Sequence, residues 1–153
     1  MSAVLVSLIA VAGTLLGSLS TYLFQRRTAL HTERVTREER LRQDRLAACG
    51  TFAAAITEVK RAVITAWFRR DEHDDEWRAA MTEADRMGAA AEAAHLRLSL
   101  LTDDADLQRA ANAGSAQIAA LRTAHNKAEL EEREAEFGRA REVFIASARR
   151  AVA

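Results

Sequence analysis

The chain has 153 residues, 22 basic against 22 acidic side chains, no proline and only six glycines. That length gives one modest core and no second one. The absence of proline, the many alanines and the balanced charge exclude a β-rich fold and a strongly basic nucleic-acid binder, and point to helices throughout.

The first element is the run from Ala3 to Phe24, which contains no ionisable side chain. As a helix rising ~1.5 Å per residue it would be about 33 Å long, enough for a hydrocarbon core of roughly 30 Å. Residues 3–24 are therefore expected to be a transmembrane anchor. A cleaved signal peptide would need a positive n-region, which is missing, and would end near Ala12, where the apolar run continues. Arg26 and Arg27 follow the run at once. The positive-inside bias then sets a single pass through the inner (cytoplasmic) membrane, with the N-terminus out and the rest of the chain cytoplasmic. Within the run, Ala10, Gly13, Thr14 and Gly17 supply small residues at helical spacing, the pattern through which membrane helices approach closely. These four are the candidate helix-contact residues, and self-association into a homo-oligomer is the expected consequence.

Residues 25–48 hold seven arginines against four acids, a local charge of +3, while residues from Cys49 onward carry −3. Leu30, Val35, Leu41 and Leu46 are spaced by five or six residues, which makes no apolar stripe. This stretch reads as a solvated, charge-laced stalk helix, with Arg26, Arg27, Arg34 and Arg37 as candidate contacts to anionic lipid headgroups. The interspersed acids and the lack of aromatic partners argue against direct nucleic-acid binding.

Residues 49–153 read as a helical bundle. Cys49, Phe52, Ile56, Val59, Val63 and Ala66 step by three and four and predict one buried face, which Trp67 and Phe68 close. The charged cluster from Arg69 to Asp75 predicts a turn, with Asp74 or Asp75 capping the next helix. That helix is assigned the face Trp77, Met81, Ala84, Gly88, Ala91, His95 and Leu98. Thr102-Asp103-Asp104 is a second cap signal, followed by Leu107, Ala111, Gly114, Ile118 and Leu121. A last helix from about Lys127 uses Leu130, Phe137, Phe144, Ala148 and Val152, interrupted by Glu134 and Arg141. The fold class is thus all-α: an N-terminal transmembrane helix continues into a long helix that packs in an antiparallel bundle or coiled-coil array. So many alanines leave a thin core, a second reason to expect oligomers.

No catalytic motif is present: no His-Glu-x-x-His pair, no glycine-rich phosphate loop, no Gly-x-Ser-x-Gly elbow. No catalytic residue, metal ligand or cofactor is therefore expected. The calcium reading of Asp103, Asp104 and Asp106 fails because Gln108 stands where a calcium loop needs glycine. His73 belongs to a solvated turn, His95 and His125 to core or boundary positions, and the single Cys49 to the core as a packed thiol.

In order along the chain, GTLLGSL and YLFQRR after the apolar start, RQDRLAA, the Trp67-Phe68-Arg69 ending and LRLSLLTDDADLQRAA together carry a family likeness. The chain resembles the KilB-type membrane-associated spread proteins of streptomycete conjugative plasmids and their chromosomal relatives. That resemblance implies a non-catalytic membrane scaffold or accessory protein in plasmid transfer, with membrane transfer-apparatus proteins as partners. The alternative from a different class is a phage- or element-encoded protein that perturbs the membrane.

Overall fold

The computed structural model describes the backbone of residues 2–71 and 74–152, and the side chains of residues 33, 35–71 and 74–152. Four helices account for nearly all of it: α1 (Ser2–Phe68), α2 (Asp74–Leu101), α3 (Ala105–Arg122) and α4 (Lys127–Ala151). Two compact units divide the chain, Met1–Leu41 and Arg42–Ala153. In the first unit, every described side chain is exposed, Val35 and Leu41 included. Apolar residues spaced by five and six cannot share one face of a helix, so none of them finds a common neighbour.

The second unit is an up-down-up-down arrangement whose directions can be read from contacts along α1. Near its lower end the Arg45 Nε donates to the Leu101 carbonyl at the end of α2 (2.8 Å), and the Arg42 Nε to the Val152 carbonyl after α4 (2.7 Å). Higher up, Phe52 meets Phe144 and Lys60 meets Glu134. At the top, the Trp67 indole N–H donates to the Ala124 carbonyl just past α3 (2.8 Å). As α1 ascends, the numbers on α4 fall, so those two helices are antiparallel. The two arginines place positive charge on free carbonyls at helix C-termini, where the helix dipole favours it.

The stripe Cys49, Phe52, Ile56, Val59, Val63 and Ala66 is buried along its whole length, and so is Leu107, Ala111, Gly114, Ile118 and Leu121 on α3. Phe52 and Phe144 stack edge to face, with ring centroids 5.1 Å apart and planes at 64°. Alanines make up 10 of the 22 buried apolar residues among those described, so helices come close where small residues face large ones. At Gly114, a Cβ would lie 3.5 Å from Ile56 Cδ1, ordinary contact distance.

The expected face of α2 is rotated in the structure. Ala80, Ala84, Ala91, Ala94 and Leu98 are buried, whereas Met81, Gly88 and His95 are half-buried and Trp77 is 39% exposed. On α4, Leu130, Phe137, Phe144 and Ala148 are buried as expected, and Val152 is half-buried. Glu134 interrupts that face because it answers Lys60 on α1 at 2.6 Å.

Helix starts are set by local chemistry. Asp104 caps α3, its carboxylate accepting from the Leu107 N–H at 2.8 Å, and the Thr102 hydroxyl accepts from the Asp104 N–H at 3.2 Å. Asn126 caps α4 by accepting from the Glu129 N–H at 2.9 Å, while Glu129 reaches back to the His125 N–H at 2.8 Å. This is a capping box moved one residue outward. His125 is therefore an exposed capping neighbour, not the core or boundary residue expected from the sequence.

The single-pass inner-membrane placement must be corrected. Among the described residues, no helix is long and apolar enough to cross a membrane. The described part of α1 has charged residues throughout 33–45, and α2, α3 and α4 each carry three or more charged residues. The run 3–24, on which that expectation rested, lies outside the residues whose side chains are described.

Candidate interaction surface

Of the residues singled out in the sequence, Ala10, Gly13, Thr14, Gly17, Arg26, Arg27 and Arg34 lie outside the described side chains. Arg37 is described and is exposed in the first unit.

Reactive groups are dispersed. Among the described residues no three His, Cys, Asp or Glu side chains converge in a way that could hold a metal ion. Cys49 is 4% exposed, and burial pushes its thiol pKa up, which keeps it protonated and unreactive. His95 is half-buried with its ring 5.2 Å from Phe52. The His125 Nδ1 lies 3.1 Å from Glu129 Oε2, and the hydrogen bonds from His125, backbone first, hold the Glu129 carboxyl below the usual glutamate pKa. Each of these arrangements orders a helix end or fills a core.

The top of the bundle differs in character. Here the last turn of α1 carries Trp67, whose indole is tied to the Ala124 carbonyl, and after Phe68 the chain turns through Arg69 and Arg70. The Arg70 guanidinium carbon lies 4.1 Å from the centre of the Trp67 ring, and its Nη1 is 3.4 Å from the same Ala124 carbonyl. A cation over an indole face is held by the ring quadrupole. Trp77 and Met81 on α2 form the opposite wall of a cleft floored by Val63 and Ala66. Arg122 from α3 completes it, donating to Asp85 at 2.7 Å and to the Ala84 carbonyl at 3.3 Å. The volume of this cleft is about 210 Å³.

Four chain segments thus supply two tryptophans, a methionine and two arginines to one concavity. Tryptophan and arginine dominate the energetics of protein contacts because they bury large apolar area and still offer donors. The polarizable, flexible Met81 adapts to the shape of what it meets. Such a cleft can take an apolar side chain flanked by acceptors. Among the described residues that line it there is no nucleophile and no general base. Sequence reasoning placed Trp67 and Trp77 in buried seams and missed the cleft they share. The available signal was two indoles on either side of a charged turn, where a buried seam has no reason to end in both.

A family model described as KilB plasmid transfer protein matches residues 46–152, a span that runs from α1 across the whole of α2, α3 and α4. No curated protein and no solved structure matches the chain.

Proposed function

Because the chain belongs to the KilB plasmid transfer protein family, we propose that it serves plasmid transfer as a non-catalytic helical component that works by binding other proteins of the transfer process. The observation that carries this reading is the cleft of Trp67, Arg70, Trp77, Met81 and Arg122, whose chemistry suits recognition and not turnover. Trp77 is the residue to test, since it is partly exposed and anchors neither α1 nor the α3–α4 corner.

The test is plasmid transfer between plasmid-bearing and plasmid-free cells, with Trp77→Ala and Met81→Ala replacing the native residues. Transfer should fall by about 5- to 30-fold, as loss of an interface anchor costing roughly 1–2 kcal/mol implies. The helix content and melting of the variant should stay close to those of the parent. Undiminished transfer by a doubly substituted, normally accumulated protein would remove the cleft from the proposal.

A further inference from the structure

The buried stripe of α2 leaves an opposite, outward face whose pattern nothing in the bundle uses. Arg86, Ala89, Ala93, Leu96 and Leu100 step by three and four, and all are exposed. Leu96 and Leu100, at 62% and 87%, are the most exposed large apolar side chains among the described residues. An a/d repeat of this kind, with small residues at one end and leucines at the other, is what a helix presents to a second helix.

The charges that flank the repeat say which helix. With Ala93 and Leu100 at a, and Ala89 and Leu96 at d, Glu92 falls at g and Arg97 at the following e. Both are exposed, and neither makes an ion pair or hydrogen bond among the described residues. In a parallel pair of identical helices, each g residue faces the e residue five positions on in the other copy. Glu92 would then meet Arg97 of the second copy, and two-fold symmetry makes the same contact again on the other side. An antiparallel pair would instead set g beside g and e beside e, opposing Glu92 to Ser99 and Arg97 to Ala90. Both charges would stay unmatched. Arg86, at the preceding a position, is already held by Glu83 through two hydrogen bonds of 2.8 Å, so it arrives with its charge balanced. A single polar a position is a device that fixes the register and the number of strands.

We propose that α2 joins two copies of this chain in parallel through Ala89, Ala93, Leu96 and Leu100, with Glu92 and Arg97 pairing across the two-fold axis. The contact is isologous and closes on itself, so it makes a dimer and no longer array. It lies on the opposite side of α2 from the buried stripe and does not depend on the transfer role assigned to the tryptophan cleft.

The experiment uses the full chain with Cys49→Ala, which leaves it free of other thiols. In a parallel dimer, position 96 of one copy lies beside position 96 of the other, so Leu96→Cys should cross-link under mild oxidation to about twice 16.8 kDa. Val143→Cys, on the exposed side of α4, is the control for random collision and should react severalfold more slowly. Adding Glu92→Arg to Leu96→Cys should suppress the cross-link, and adding Arg97→Glu to that pair should restore it. Equal rates at positions 96 and 143, failure of the charge swap to restore, or preferential cross-linking of Ala93→Cys with Leu96→Cys in a mixture would each overturn the proposal. Any association through other parts of the chain is common to all variants and cannot produce the suppress-and-restore pattern.

Discussion

Phe52 is the residue whose loss the bundle should feel most. It is fully buried, stacks edge to face on Phe144 at 5.1 Å, and has the His95 ring at 5.2 Å on another side. Ten of the 22 buried apolar residues among those described are alanines, which have no side-chain reach with which to collapse into a void. Phe52→Ala should therefore sit near the upper part of the usual range for such truncations, about 3–5 kcal/mol. For a unit of this size that is a fall in melting temperature of about 12–20 °C, at roughly 4 °C per kcal/mol. Out of a total stability of about 5–15 kcal/mol it would leave a marginal fold. Phe144→Ala should cost a similar amount. The double variant should cost less than the two singles together by about 0.5–1.5 kcal/mol, the worth of the aromatic pair beyond its area. Urea denaturation followed by far-ultraviolet circular dichroism measures all three. A loss under about 1 kcal/mol for Phe52→Ala would show that the site repacks and refute the argument from a thin core. Strict additivity would refute the ring-on-ring contact.

A Cβ at Gly50 or Gly138 meets nothing within 4 Å. Gly50→Ala and Gly138→Ala should each raise stability by about 0.5–1 kcal/mol through helix propensity alone, seen as a higher urea midpoint with an unchanged slope. Asn126→Ala removes the α4 cap and should cost about 1 kcal/mol in the same assay, without loss of helix content in the native baseline. Because the folded Glu129 carboxyl titrates below its ordinary value, the stability it contributes is complete above the unfolded glutamate pKa and disappears as pH falls through the depressed folded one. Glu129→Gln should accordingly flatten the acid limb of a melting temperature against pH curve and leave the neutral region flat; an unchanged acid limb would refute the assignment.

The parts of the fold that were legible in the sequence are those where side-chain size marks a face. Phe52, Ile56, Val59 and Val63 on α1, and Leu107, Ile118 and Leu121 on α3, are large residues repeated at helical spacing, and all are buried. On α2 the rule loses its grip. Alanines occupy 79, 80, 84, 89, 90, 91, 93 and 94, spread around the helix, so several faces satisfy the same periodicity and packing alone chooses among them. Glu134 looked like a fault in the α4 stripe until Lys60, 74 residues away, supplied its partner. The α3 cap could be read from Thr102-Asp103-Asp104, since hydroxyl and carboxylate capping is local chemistry. The tryptophan cleft could not, because its walls come from the end of α1, the start of α2 and the α3–α4 corner, and only the topology unites them. Family membership was legible in the order of short motifs, whereas the membrane placement drawn from residues 3–24 was not upheld among the described residues.

The chain has only two tryptophans, and both line the same cleft at one end of the bundle. Intrinsic fluorescence is consequently a one-ended probe: it reports whether Trp67 is still tied to the Ala124 carbonyl and says nothing directly of the Phe52–Phe144 layer toward the other end. If the helices separate first at the cleft, emission will change before circular dichroism does. If the whole unit opens at once, the two transitions will coincide. The placement of two indoles thus makes the order of unfolding observable without any label.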